Sequence, residues 1–325
     1  MSAVVRVAAA SWPIEAPADE AAWAARLGRW FESAAAGGAS LLVFPEYGAM
    51  ELAALAGPAA AGDLAASLDA VADRLSFADE VHEALCREHG VHAAAASGPC
   101  RVEDGAGAAR FVNRVRLFGP DGPIGHQDKI VMTRFEREAW NVTGGADGVS
   151  VFDTAVGRLG VLTCYDAEFP PLGRALVEAG AEILLVPSCT DALRGFHRVR
   201  VGARARALEG QCVAVQSVTV GDAPWCPAVD ENRGAAGAFG PPDVGFPEDG
   251  VLASGEMDVP GWTFADVDLG AIGRARGDGT VLNVRHWADA HAGLGRARGG
   301  IGGRARATAG DAEPGGPGPV PEPPL

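Results

Sequence analysis

Basic charge is scarce in this chain. There are 27 Lys+Arg against 42 Asp+Glu, a net charge of −15 over 325 residues. Nucleic acids are bound by clustered Lys/Arg surfaces, so no nucleic-acid partner is expected, and anionic membrane surfaces are disfavoured for the same reason. Long apolar runs are also missing. No stretch approaches the ~18 uninterrupted apolar residues of a membrane helix. Residues 1–10, MSAVVRVAAA, carry one Arg and a short apolar run, with Trp12, Pro13 and Glu15 directly after. That is too short for a secretory leader with its cleavage site, and the expectation is a cytoplasmic protein. Cysteine is sparse: Cys86, Cys100, Cys164, Cys189, Cys212 and Cys226 are no disulfide framework in a chain this long. In a reducing compartment they are thiols. Five would pack as small hydrophobes, leaving one as a candidate for chemistry. His82, Glu83, Cys86 and His89 lack the His-Glu-x-x-His spacing of a helical zinc site, and no metal or cofactor is expected.

The composition that remains is that of a globular protein, with 48% hydrophobic and 21% charged residues. The length suits one large domain or two small ones. Apolar runs at strand period alternate with Ala-rich helical stretches. Strands are expected at 4–10, 41–44, 91–97, 110–118, 149–152, 159–163, 183–186, 212–220 and 264–269. Helices are expected at 19–36, 64–89, 171–179 and 199–209, with Gly37-Gly38, Gly90 and Gly180 as stops. This interleaving points to α/β layers. Residues 222–250 read as a long loop holding one short hairpin. Residues 289–325 contain ten Gly and six Pro. They read as a disordered tail that cannot bury enough apolar surface to offset ordering entropy. The domain is therefore expected over 1–288.

Three local patterns share one form, a strand that ends in a reactive side chain. LLVFPEYG sets Glu46 just past a buried strand, where poor solvation would raise its pKa toward that of a general base. The competing reading is a helix cap for residues 49–55. GHQDKIVMTRFEREAW carries Lys129, with Glu136 and Glu138 following and Arg134 and Arg137 beside them, which also reads as a plain surface charge cluster. GRLGVLTCYDAEFPPLGRALVEAG ends a strand at Cys164 and then turns into a helix. A thiol near a helix amino end with a cationic neighbour is expected to have a lowered pKa, and the turn would aim backbone N–H groups at an oxyanion.

In this order the three patterns resemble the nitrilase superfamily of carbon–nitrogen hydrolases. FPEYG resembles its base motif at Glu46, HQDK its lysine motif at Lys129, and GRLGVLTCYDAEFP its nucleophile motif at Cys164. GGADGVSVFD, ILLVPSCTD, RARALEGQ and WTFADVDL resemble further family segments, over about residues 4–287. The sequence departs from the family in having Asp128 before the lysine and no clear Gly-x-Ser in the 222–250 loop. The resemblance implies a four-layer α-β-β-α sandwich, a Glu–Lys–Cys catalytic set, and a homodimer or higher homo-oligomer. It also implies a second glutamate after the lysine, for which Glu136 fits best and Glu138 is the fallback.

The implied chemistry is hydrolysis of a small amide through a thioester on Cys164. Glu46 would act as base, with Lys129 and the backbone N–H of Tyr165 at the oxyanion. Cys164-Tyr165-Asp166 resembles the amidase-like branches. A nitrile substrate is the second reading, on Glu136-Arg137 with Trp140. A catalytically silent member binding a small molecule is the third. Trp140, Phe196, His197 and Trp225 are candidate pocket walls, and Arg194 and Arg198 candidate partners for a substrate carboxylate.

Overall fold

Successive side chains of a strand point to opposite faces, and here the apolar strands bury both. The computed structural model describes residues 4–103 and 109–294. Of the described residues, 4–284 belong to one compact unit and 285–294 to a second. The strands are β1 (Val4–Pro13), β2 (Leu41–Val43), β3 (His92–Ala94), β4 (Gly98–Glu103), β5 (Ala109–Gly119), β6 (Gly122–Asp128), β7 (Val151–Thr154), β8 (Gly157–Val161), β9 (Ile183–Ser188), β10 (Val213–Asp222), β11 (Glu231–Asn232), β12 (Gly237–Phe239), β13 (Val251–Ser254) and β14 (Gly261–Asp268). The α-helices are α1 (Glu20–Ala36), α2 (Pro58–Ala61), α3 (Leu64–Ala72), α4 (Leu75–His89), α5 (Arg134–Glu138), α6 (Pro170–Glu178), α7 (Leu193–Gly210), α8 (Leu269–Asp278) and α9 (Asn283–Leu294).

The hydrogen-bonded order is β4-β5-β3-β2-β1-β10-β9-β8-β7. The sheet folds back on itself at β1. Residues 7–9 of β1 pair with β2 and residues 4–11 with β14, while Ser11–Pro13 pair with Val218–Val220 of β10. Two layers result, and side-chain parity assigns their faces. Val7, Ala9, Leu41, Val43, Leu159, Val161, Ile183 and Leu185 meet between the layers. Their neighbours Ala8, Ala10, Leu42 and Phe44 turn outward to Trp23, Leu27 and Phe31 of α1. On the other side Leu184 and Val186 turn outward to Leu176 of α6 and Val199 and Ala203 of α7. This is the expected α-β-β-α sandwich, with apolar strands that need cover on both faces.

Helix α1 shows the local logic. The Asp19 side chain caps it through Ala22 N–H at 2.7 Å, and Trp23, Leu27, Phe31 and Ala34 form its buried stripe. The expected helix 64–89 is divided into α3 and α4. Arg101 of β4 pairs with both Asp69 and Asp73 at the end of α3, and the chain turns there. Residues 289–294, assigned by composition to a tail, are helical in α9; the remainder of that assignment lies outside the described residues. No helix among the described residues is long and apolar enough to cross a membrane.

Candidate active site

Strands β2, β1, β10, β9 and β8 run parallel in sequence of pairing. β6 runs the same way, because β5 is antiparallel to both β6 and β3. Their carboxyl ends therefore lie at one edge, where the strands stop and side chains become free to converge. Glu46 follows β2, Lys129 follows β6 at once, Cys164 follows β8, and Cys189 follows β9.

The convergence is tight. Lys129 Nζ donates to Glu46 Oε1 at 2.8 Å and to Glu136 Oε2 at 2.7 Å, and all three residues are 1% exposed. Glu46 also accepts from Asn113 Nδ2 at 2.9 Å and from the Cys189 backbone N–H at 3.0 Å, while the Cys164 thiol donates to the Cys189 carbonyl at 3.7 Å. Glu136 accepts further from the Thr133 N–H and hydroxyl, each at 2.8 Å, and from the Tyr47 hydroxyl at 2.8 Å. Thr133 and Glu136 form a capping box on α5, which turns a local helix start into a mount for the second carboxylate. The geometry selects Glu136 over Glu138, which is exposed and paired with Arg134 at 2.8 Å.

The two carboxylates are driven apart in proton affinity. Burial raises Glu46 above the usual carboxylate range, Lys129 opposes the rise and Glu136 adds to it. Burial would raise Glu136 as well, but Lys129 and the donors from Thr133 and Tyr47 hold it below that range. Burial alone would strip the proton from Lys129; the two carboxylates outweigh it and hold the ammonium well above the usual lysine range.

Cys164 sits at a left-handed φ of 51°, strained for a residue with a Cβ and typical of functional turns. It opens a 3₁₀ turn over Cys164–Glu168. The expected thiolate is corrected here: burial and the adjacent Glu46 charge push the thiol well above its usual range, outweighing Lys129. A turn of this length contributes little dipole. Two residues on, Asp166 accepts from the Ile130 and Val131 N–H groups at 3.0 and 2.7 Å, which ties the Cys164 turn to the lysine loop.

Above this cluster opens a cavity of about 1100 Å³. Cys164, Tyr165, Trp140, Phe169 and Arg198 are among its walls, and Arg198 is paired with Glu168. Trp140 packs edge-on against Tyr47 at 5.2 Å. Three expected wall residues lie elsewhere. Phe196, buried, and its exposed neighbour His197 line a separate surface hollow with Arg200. Trp225 is half-buried and packs on the aromatic core beneath α1. Arg194 is absent from the cavity wall among the described residues.

Sequence reasoning missed Asn113, Tyr47, Thr133 and Asp166 as members of the site. Asn113 gave no local signal, since it lies mid-strand in β5. One signal was available and unused: Lys129 is the only lysine in the chain, every other strong base being arginine. A compact ammonium on a flexible stem fits between two buried carboxylates, where a planar guanidinium fork does not.

The carbon-nitrogen hydrolase family pattern matches residues 6–252. The probable hydrolase YhcX of Bacillus subtilis is 38% identical over 176 residues, 54% of this chain and 34% of its own length. The deaminated glutathione amidase of Yersinia enterocolitica is 45% identical over 73 residues, 22% of this chain and 26% of its own length. The chain thus spans about a third and a quarter of these two relatives. A solved structure of a Nesterenkonia sp. AN1 amidase of the nitrilase superfamily, bearing the acetamide moiety of fluoroacetamide at its active-site cysteine, shares the fold. Its TM-score is 0.61 at 19% identity, over 89% of this chain and 96% of that one. The pattern covers most of the sequence, so this chain belongs to the carbon-nitrogen hydrolase family.

Proposed function

We propose that the protein hydrolyses a small amide through a thioester on Cys164. The observation that carries this reading is the Lys129 ammonium held between Glu46 and Glu136 at 2.8 and 2.7 Å, with Cys164 in the wall of the same cavity and its thiol on the carbonyl of Cys189, whose N–H binds Glu46. A high-pKa thiol beside a raised-pKa carboxylate suits proton transfer at the moment of attack. Glu46 takes the Cys164 proton as Sγ bonds to the carbonyl carbon, and the carbonyl electrons move to oxygen. Lys129 and the Tyr165 N–H stabilise that oxyanion, a contribution of about 3 kcal/mol per donor in comparable sites. Collapse of the tetrahedral species expels the amine or ammonia, which leaves with the Glu46 proton. Water then gives a proton to Glu46 and attacks the thioester, releasing the acid and restoring the thiol. Glu136 fixes Lys129 throughout.

The amidase names of the Yersinia relative and the Nesterenkonia neighbour support an amide over a nitrile. Ammonia release from a panel of amides, nitriles and ureido acids tests this, with Cys164→Ala beside the unmodified protein. Cysteine-dependent ammonia from an amide upholds the reading, and from nitriles alone replaces it with nitrile hydrolysis. Absence of turnover and of any acyl adduct on Cys164 by intact mass would leave a binding protein. A cytoplasmic homo-oligomer belongs to the same proposal. Exposed Leu193, Val201 and Leu208 on α7 support a self-contact, which sedimentation equilibrium tests.

A further inference from the structure

Glu46 and Tyr47 are adjacent in sequence, yet both line the same cavity. In an extended strand two consecutive side chains point to opposite faces. Tyr47 escapes that rule because its φ is 53°, a left-handed conformation that a residue with a Cβ adopts only when its surroundings enforce it. The Ser97 hydroxyl pins the turn by accepting the Tyr47 N–H at 2.9 Å. The phenol is thereby delivered to Glu136 Oε1 at 2.8 Å. Among the described residues it is the one donor on that oxygen, whereas Oε2 is taken by Lys129 and Thr133.

We propose that Tyr47 is a positioning residue: its phenol satisfies the remaining oxygen of Glu136, keeps that carboxylate ionised against Lys129, and so leaves Glu46 as the group that exchanges the proton. This rests on the cysteine mechanism above and adds the reason why two carboxylates around one lysine do not share the work. The titratable groups facing this trio are Cys164, Cys189 and Asp166. None of them donates to Glu136 among the described residues. Burial and the Glu136 and Glu46 charges push the Tyr47 phenol well above its usual range, so it stays a donor at every working pH. Without it, Glu136 would take up a proton more readily and release Lys129. The ammonium charge would then fall on Glu46 alone and weaken it as a base.

The test uses alkylation of Cys164 by iodoacetamide, followed by peptide mass mapping against pH. Sγ displaces iodide while its proton passes to Glu46, so the rate falls on the acid side when either carboxylate protonates: Glu46 because it then accepts no proton, Glu136 because the ammonium then weakens Glu46 as a base. Tyr47→Phe is expected to move that acid limb up by about one pH unit. In turnover it should lower kcat with little change in KM. The chain has two tyrosines, Tyr47 and Tyr165, so 3-fluorotyrosine in a Tyr165→Phe background modifies Tyr47 alone without altering its packing. Its more acidic phenol donates more strongly, and the limb should move to lower pH. Limbs unmoved in both proteins would overturn the inference, as would a KM effect with an unchanged pH profile, which would make Tyr47 a plain cavity wall. If Glu46→Gln leaves the unmodified protein's limb in place, the cysteine mechanism itself fails and the inference falls with it.

Discussion

Asp166 holds Val131: its Oδ1 accepts the Val131 N–H at 2.7 Å, and Oδ2 accepts the Ile130 N–H at 3.0 Å. One carboxylate thus fastens the loop after Lys129 to the turn that begins at Cys164. Cys164 and Lys129 follow distant strands, and this link joins the segments that carry them. Asp166→Ala should leave two part-buried N–H groups unmatched, at a cost of about 2 kcal/mol. The expected result is a Tm lower by several degrees and a larger fractional loss in kcat than in binding, read by calorimetry and steady-state kinetics. Unchanged kcat in a folded variant would show that the link serves stability alone.

Lys129 is 1% exposed and is the chain's single lysine. An amine-specific acetylating reagent should therefore leave the Lys129 peptide unmodified in the native protein and modify it fully in denaturant. Mass mapping decides this, and rapid native acetylation would contradict the buried ion cluster.

Lys129→Met would leave two carboxylates buried without their cation, which typically costs about 3–5 kcal/mol. Both carboxylates would then have raised pKa values in the folded state. The folded protein would bind their protons more tightly than the unfolded chain, so the variant should regain stability as pH falls. Denaturant midpoints at neutral and mildly acid pH measure this. A deficit independent of pH would assign the loss to packing rather than charge.

Glu51 lies outside the Glu46–Lys129–Glu136 cluster, 0% exposed, with Arg26 Nη1 at 2.7 Å and Trp12 Nε1 at 3.1 Å on its Oε1. Burial pushes its carboxyl from 4.5 up to about 7, with Arg26 opposing the rise. The folded state holds this proton more tightly than the unfolded chain. Glu51 therefore contributes stability that is fully present below pH 4.5 and lost as pH rises through about 7. At about 1.4 kcal/mol per unit the full excursion approaches ~3 kcal/mol. The stability of the protein relative to its Glu51→Gln variant should fall as pH rises across that window. A pH-independent difference would place the Glu51 pKa near its unfolded value.

Gly202 of α7 packs on the Cys164 turn so closely that a Cβ would lie 2.7 Å from the Ala167 carbonyl oxygen and 3.0 Å from its carbon. Those are backbone atoms three residues past Cys164, and they cannot swing aside as a side chain can. Gly202→Ala should cost about 1–3 kcal/mol and displace the turn. Activity should fall beyond what lost stability explains, measured well below the variant's Tm. Full activity per folded molecule would show that α7 itself gives way.

By itself the sequence determined the layered α/β architecture, because strand-period and helix-period apolar runs alternate and demand cover on both faces of the strands. It also placed Glu46, Lys129 and Cys164 just past strand ends, since each motif is local and each strand announces where it stops. Glu136 was within reach for the same reason, being one helical turn past Thr133 in a readable capping box. Tertiary structure alone decided what these groups meet. Asn113 reaches Glu46 from a strand 67 positions away, and no local pattern marks it. Tyr47 enters the site through a left-handed φ that the sequence FPEYG does not display. Phe196, His197 and Trp225 have the right residue types for a cavity wall, but the fold placed them away from it. The state of the thiol also depended on the fold, because desolvation and the neighbouring Glu46 charge exist only once distant strand ends share one edge.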